Sequence, residues 1–95
     1  MAQNVSQKLI ADHLMEGEMA LGEEVGLRID QTLTQDATGT LVMLEFEALG
    51  LERVQTEVSA QYVDHNLIQE DFRNPDDHVF LASAAKKYGL WFSPP

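Results

Sequence analysis

The sequence predicts an α/β fold in which helices alternate with the strands of a parallel sheet. Along the 95 residues, segments with helical apolar spacing alternate with short apolar runs in the order α-β-α-β-α-β. This alternation is typical of parallel strands joined by helical crossovers. Three such strands leave two open edges and few covering helices, so we expect a three-layer-type domain of which residues 1–95 are the incomplete N-terminal part.

The first predicted helix covers residues 5–15. Asn4 or Ser6 is expected to cap its start and Gly17 to end it. Apolar residues then alternate with small or polar ones over residues 25–30, which predicts the first strand. The residues on the apolar side of the helix are Leu9, Ile10, His13 and Leu14.

The second predicted helix covers residues 37–49. Thr34 or Asp36 is expected to cap its start, and Gly50 to end it. Apolar residues recur at helical spacing and predict one side that faces a core. They are Leu41, Met43, Leu44, Phe46 and Ala48.

The last three predicted elements are a strand, a helix and a strand. Residues 58–63 form the second strand, and residues 90–93 the third. Asn74 and Pro75 predict the start of the helix between them, because Asn is a good cap and Pro suits the first turn. This helix runs to Tyr88. Its predicted inward residues are Val79, Phe80, Ala84 and Tyr88, and Trp91 and Phe92 are read as core residues of the last strand.

The composition narrows the class of protein. Sixteen acidic against six basic residues give a net charge of −10, which argues against nucleic acid or an anionic membrane as a partner. There is no cysteine, so neither a disulfide nor a thiolate-held metal forms within this chain. The start lacks the pattern of a secretory signal, and no apolar run approaches the roughly 20 residues that cross a bilayer. We therefore expect a reducing, cytoplasmic location.

Asp64 and His65 are the strongest candidates for chemistry. They follow a predicted strand, and ligands of open α/β sheets bind beyond the carboxyl ends of the strands. A carboxylate beside an imidazole orients it and stabilises its charge, which suits proton transfer. A surface turn is the alternative interpretation, since His13 and His78 also follow aspartates. A metal site built from His65, His78 and nearby carboxylates matches no ligand spacing, so no metal ligand is predicted.

Gln35 is the second candidate. Its amide both donates and accepts hydrogen bonds, which suits a carboxylate or hydroxyl of a small acid. A plain loop residue is the alternative. Gly39 and Thr40 lie where a phosphate could meet a helix start, but neither a dinucleotide fingerprint nor a Walker lysine is present.

Two segments carry a resemblance to a known family. Residues 28–40, with Gln35-Asp36-Ala37-Thr38 at their centre, resemble the Gln-Asp-x-Thr segment near the start of aconitases. Tyr62-Val63-Asp64-His65-Asn66 resembles their Asp-His segment. Residues 5–10 and 87–94 fit the same family, and the resemblance is nearest to prokaryotic aconitases of the mitochondrial type. It covers almost the whole chain.

The resemblance implies a hydro-lyase that interconverts citrate and isocitrate through cis-aconitate. It implies a [4Fe–4S] cluster in the full-length enzyme, with Gln35 contacting substrate and the Asp64–His65 pair transferring a proton to the departing hydroxyl. The family's three cluster cysteines, its Asp-Ser-His segment, its substrate arginines and its serine base have no counterpart here. We therefore expect an N-terminal fragment that is inactive without the remainder of the aconitase chain.

Other interpretations stay open. One is a fragment of a homoaconitate- or isopropylmalate-type hydro-lyase. Another, from a different class, is a natural short module, or a subunit that docks with a separate cluster-bearing chain.

Overall fold

The computed structural model describes residues 2–95, in two compact units, one ending at Asp30 and the other running from Gln31 to Pro95. The predicted α/β fold with a parallel three-stranded sheet is confirmed. In chain order the elements are α1 (Val5–His13), β1 (Leu14–Glu16), β2 (Gly26–Leu27), β3 (Gln31–Gln35), α2 (Asp36–Ala48), β4 (Val58–Tyr62), α3 (Arg73–Tyr88) and β5 (Trp91–Ser93).

The first unit holds α1 and a short antiparallel pair, β1 and β2. Asn4 caps α1 as predicted, through a capping box with Gln7 in which each side chain bonds the other's backbone N–H. The imidazole of His13 bonds the Leu9 carbonyl at 2.7 Å and the Asp30 carboxylate at 3.0 Å. These two bonds raise the pKa of His13. The strand predicted over residues 25–30 is wrong, because only Gly26–Leu27 is strand and it pairs with β1.

The second unit is a βαβαβ arrangement with strand order β3-β4-β5, all parallel. Its first strand is β3, which lies just beyond the predicted segment. Both crossovers run in the same direction along the sheet, and α2 and α3 pack against each other, as expected if both lie on one face. In register, Gln35 of β3, Tyr62 of β4 and Ser93 of β5 stand side by side. The carboxyl ends of all three strands therefore share one edge.

The sheet face beneath the helices is polar. The Thr32 hydroxyl donates to the Ser59 hydroxyl at 2.6 Å, and the Thr34 hydroxyl donates to the Gln61 side-chain oxygen. The Gln61 amide nitrogen donates to the Tyr62 carbonyl, and Gln61 is completely buried. The two buried polar residues, Ser59 and Gln61, thus have partners on β3, which removes most of the cost of burying them.

The opposite face, here called the outer sheet face, is apolar. The two-residue repeat of strands places eight residues on it, five of them apolar, on the side away from α2 and α3. Trp91 was predicted to be a core residue, and this is wrong, since 58% of it is exposed and its ring packs edge-on against Tyr62. The apolar residues of the outer sheet face are Leu33, Val58, Ala60, Tyr62 and Trp91, and the polar residues at its strand ends are Gln31, Gln35 and Ser93.

The core of the second unit lies between the two helices and the sheet. Met43 of α2 meets Leu81, Ala84 and Tyr88 of α3, and the Phe46 ring meets the Tyr88 ring edge-on. Four predicted inward residues are exposed instead: Leu41, Leu44, Ala48 and Val79. The buried side of α2 is the one that contains Gly39, Met43 and Phe46. None of the helices in residues 2–95 is long and apolar enough to cross a membrane.

The end of α3 was predicted correctly, whereas its start was predicted too late. The helix begins at Arg73, one residue before the predicted cap Asn74, and the Asp71 carboxylate accepts the Arg73 N–H at 2.9 Å. Pro75 falls in the first turn, where no N–H is needed. Gly89 ends the helix in the left-handed region with φ 84°, and the Leu90 N–H donates to the Ala85 carbonyl, as in a Schellman motif.

Gly39 is required where α2 crosses the buried Gln61 amide. A Cβ at this position would stand 2.5 Å from the Gln61 side-chain oxygen and 2.8 Å from its nitrogen. On helix propensity alone Gly39→Ala would stabilise by about 1 kcal/mol. Because hydrogen bonds to Thr34 and Tyr62 hold the Gln61 amide, we expect the clash to dominate and the free energy of unfolding to fall by about 1–3 kcal/mol.

Urea unfolding of Gly39→Ala beside wild type checks this expectation. Gly26→Ala is the matched control, since a Cβ there meets the Glu16 side chain at ordinary contact distance of 3.4 Å. A Gly39→Ala protein more stable than wild type would show that Gln61 has room to move.

Candidate active site

The site lies at the shared carboxyl edge of β3 and β4. Asp36 follows β3 directly and opens α2, and residues 64–66 form the loop that follows β4. Because the last residues of these strands, Gln35 and Tyr62, are paired in register, the two chain segments meet beyond the sheet. The edge is where ligands of open α/β sheets bind.

Asp36 is the centre of the site. One carboxylate oxygen accepts the backbone N–H groups of Asp64 at 3.0 Å and His65 at 2.9 Å, and the other accepts that of Asn66 at 2.7 Å. The side chain is fully buried. Burial acts to raise the pKa of Asp36, but the N–H donors of His65, Asn66 and Asp64 outweigh it and lower this pKa to about 2. Asp36 is therefore a buried anion that fixes the loop.

Asp64 and His65 form the predicted pair. The His65 Nδ1 lies 2.6 Å from an Asp64 carboxylate oxygen and 3.9 Å from the nearer oxygen of Asp36. The side chains of His65 and Asp64 are 54% and 61% exposed. With Nδ1 held by a carboxylate, Nε2 is the ring nitrogen left to meet a small molecule, which is the arrangement an acid or base needs.

Gln35 lies at the same edge, but two of the hydrogen bonds that its side chain can form are already made with residues of α2. It is the N-cap of α2, where its oxygen accepts the Ala37 N–H and its nitrogen donates to the Thr38 hydroxyl. The predicted caps Thr34 and Asp36 are therefore wrong. A carboxamide has two lone pairs and two N–H groups, so Gln35 keeps one of each for a ligand. Its role in substrate binding stays a prediction.

His78 joins the site from α3; it was considered beside His65 only as a metal ligand, and no role was predicted for it. Its Nε2 is buried, lies 3.7 Å from an Asp36 oxygen, and has no hydrogen-bond partner among residues 2–95. Asp36 itself was missed as a site residue, because an aspartate at a helix start normally caps that helix. One signal in the sequence could have indicated this role: Gln35 is able to cap α2, which leaves the Asp36 carboxylate free to bond another segment.

The site offers few ligands for a cofactor. Asp36, Asp64 and His65 each place one ligand atom within 4.8 Å of the others. The Asp36 oxygens already accept three N–H groups, and the Asp64–His65 contact occupies one atom of each partner. The [4Fe–4S] cluster that the resemblance implies needs thiolates, and the chain has no cysteine. These residues therefore do not fit the cluster.

Comparison with known proteins gives a consistent set of relatives. No family model matches the chain. It is 30% identical over 91 residues to the 3-isopropylmalate dehydratase large subunit of Thermodesulfovibrio yellowstonii, which covers 95% of the chain and 22% of that protein. It is 30% identical over 91 residues to the same subunit of Clostridioides difficile, and this match covers 95% of the chain and 21% of that protein. It is 30% identical over 94 residues to the 3-isopropylmalate dehydratase large subunit 1 of Pyrococcus abyssi, and this match covers 97% of the chain and 22% of that protein.

The chain thus spans about a fifth of the length of the curated relatives it matches. All three are named as dehydratases, which agrees with the hydro-lyase character that the resemblance implied. They are not aconitate hydratases, so the finer part of that resemblance, to aconitases of the mitochondrial type, gains no support. The homologues are large subunits of 3-isopropylmalate dehydratase, and the similarity supports the aconitase superfamily of hydro-lyases as the family of this chain.

Proposed function

We propose that the chain is part of a hydro-lyase that removes water from, and adds water to, a 3-isopropylmalate-type hydroxy acid. The observation that carries the proposal is the Asp64–His65 pair, hydrogen-bonded at 2.6 Å and exposed at the carboxyl edge of the sheet. The names of the relatives supply the substrate class. Isomerisation of citrate and isocitrate, as in aconitate hydratase, is the less well supported alternative.

His65 acts as the acid in this proposal. Hydroxide is a poor leaving group, so a proton must reach the departing hydroxyl as its bond to carbon breaks. The Nε2–H of the imidazolium gives that proton, and the hydroxyl leaves as water. The electron pair of the neighbouring C–H bond becomes the second bond of the alkene, and the proton from carbon goes to a base outside this chain.

Asp64 and Gln35 support that step. The Asp64 carboxylate at Nδ1 keeps the ring oriented and stabilises its positive charge before the proton is given up. Gln35, at the end of the neighbouring strand, uses its remaining N–H for a carboxylate or hydroxyl of the acid. Binding and orientation at two adjacent strand ends keep the reacting hydroxyl near Nε2.

The rest of the reaction depends on residues beyond this chain. We propose that a longer polypeptide, named as a large subunit in the relatives, holds the cluster and the base. The outer sheet face supports this part of the proposal, since Leu33, Val58 and Trp91 are more than half exposed and another layer would bury them. A cytoplasmic location stays a prediction.

An activity assay of the full protein with its cluster tests the proposal. Appearance or loss of the carbon–carbon double bond is followed by ultraviolet absorbance with 3-isopropylmalate and, separately, with citrate. We expect the larger kcat/KM for 3-isopropylmalate. A larger value for citrate would move the proposal to its alternative, and no turnover of either acid by a cluster-loaded protein would overturn it.

A further inference from the structure

Three successive backbone N–H groups converge on one point beyond β4. They belong to Asp64, His65 and Asn66, and all three donate to Asp36 at 2.7 to 3.0 Å. Consecutive N–H groups that point into one concavity form a nest that binds anions. In this protein the anion is a side chain from another element, 28 to 30 residues earlier in the chain.

We propose that Asp36 is a positioning residue that sets the orientation of His65 by filling this nest, and that the nest takes a small free carboxylate when the Asp36 side chain is removed. The positioning role rests on the proposed acid function of His65. The anion site does not depend on it.

The geometry separates this role from an ordinary helix cap. Gln35 already caps α2 with its own side chain, so the Asp36 carboxylate is not needed at the start of its helix. It turns instead toward the loop, where it is buried and accepts from both neighbours of the His65 peptide as well as from His65 itself. Charge-assisted bonds of this kind are stronger than those between neutral groups.

The position of His65 follows from these bonds. Its backbone N–H is held at 2.9 Å by the same oxygen that lies 3.9 Å from its Nδ1. The carboxylate partner of that ring nitrogen is Asp64, whose backbone N–H donates to the same Asp36 oxygen at 3.0 Å. Both members of the pair are thus anchored to one buried atom, so losing it releases the acid and the carboxylate that orients it together.

The loop amides report directly on the nest. The test uses the ¹⁵N-labelled full protein and follows the amide signals of residues 64–66 by NMR in wild type and Asp36→Ala, with and without sodium formate. Amides that donate to a carboxylate resonate at low field, so we expect the three signals to move upfield in Asp36→Ala. Added formate is expected to return them in a saturable way, while wild type does not respond. Asp71→Ala, which removes an exposed carboxylate from the Arg73 N–H, is the matched control and is expected to leave the three signals in place.

Turnover of the same samples tests the positioning role. We expect kcat of Asp36→Ala to fall on the order of a hundredfold with little change in KM, and formate to recover part of it over the same concentration range. A loss caused only by poorer folding would not be recovered by formate. If formate restores the amide signals but not kcat, the positioning role is overturned and the nest stands.

A second variant covers the case in which Asp36→Ala does not fold. Asp36→Asn keeps the shape of the side chain but replaces one acceptor oxygen by an N–H₂ group, so at least one of the three amide signals is expected to move upfield. Unchanged amide signals in folded Asp36→Asn, or no response of folded Asp36→Ala to formate, would overturn the nest. If wild type itself has no hydro-lyase activity, the proposed function fails, and the amide signals still decide the nest.

Discussion

Replacing His65 by Gln is expected to lower kcat of the full protein by about a hundredfold to ten-thousandfold, the range that a positioned acid contributes. Glutamine keeps a polar side chain of similar reach but has no proton to give to a departing hydroxyl. Because His65 is 54% exposed, its replacement leaves no buried gap, and the fold should persist. Steady-state kinetics with 3-isopropylmalate, together with circular dichroism of both proteins, measure the two effects separately.

Asp64→Asn and His13→Gln complete that series. Asn accepts a hydrogen bond from Nδ1–H but does not neutralise the imidazolium, so we expect a smaller fall in kcat, about tenfold or more. His13 bonds Leu9 and Asp30 in the first unit, and its substitution is expected to leave kcat within about twofold of wild type. Less than about a tenfold loss in His65→Gln would contradict the acid role, since that is under roughly 1.4 kcal/mol of the barrier.

Replacing Asp36 by Ala is expected to cause the largest loss of stability, about 3 kcal/mol or more at neutral pH. The substitution leaves three backbone N–H groups without their acceptor, and each such group costs about 1–3 kcal/mol if it stays dry. Since residues 64–65 are exposed, water reaches some of these groups and keeps the total below the full sum. Urea unfolding gives the value, and Asp71→Ala is the control, with an expected change under about 1 kcal/mol.

The pH dependence of this loss has a definite sign. The pKa of Asp36 is about 2 in the folded chain against 3.8 as the ordinary value. A lowered folded pKa contributes stability that is complete above the ordinary pKa and disappears as pH falls toward 2. The difference corresponds to about 2 kcal/mol at neutral pH. The gap in unfolding free energy between wild type and Asp36→Asn should therefore narrow as pH falls from about 5 toward 2. A gap that stays constant would show that the Asp36 charge does not stabilise the fold.

Apolar alternation located β4 and the pair that follows it, but it misplaced the first strand of the sheet. Residues 25–30 have the apolar alternation of a strand, whereas β3 does not, because Thr32 and Thr34 face the helices. Their hydroxyls bond Ser59 and Gln61, so these two polar residues of β4 are buried at little cost. A pattern of apolar residues has no means of signalling a buried face whose partners lie on another strand.

The prediction of which helix sides face the core was wrong for a related reason. Helical spacing predicted Leu41 and Leu44 as core residues, but α2 approaches the sheet through Gly39, which leaves both leucines exposed. The close approach depends on the buried Gln61 amide, which is not apparent before the strands are paired. Helix existence and most helix ends were predicted well, because caps and glycine stops are local signals.

In the candidate site, too, the residues with a local sequence signal were predicted, and those that depend on distant contacts were not. Asp64 and His65 were predicted from their position at a strand end, and Gln35 from its amide chemistry and the resemblance. The structure places all three at one edge of the sheet. Asp36 and His78 were missed because their partners lie 28 to 42 residues away along the chain. No local pattern indicates that a helix-start aspartate will bond the backbone of a distant loop.

The most direct test of this account is the titration of the Asp36 carboxyl carbon, followed by ¹³C NMR in the folded protein. The Asp64–His65 pair depends on a buried, ionised Asp36 that accepts three backbone N–H groups. We therefore predict that this carbon shows no titration down to about pH 3 while the protein remains folded, in keeping with a pKa of about 2. A midpoint at or above the ordinary 3.8 would mean that the N–H groups do not converge on Asp36, and the site as described would be wrong.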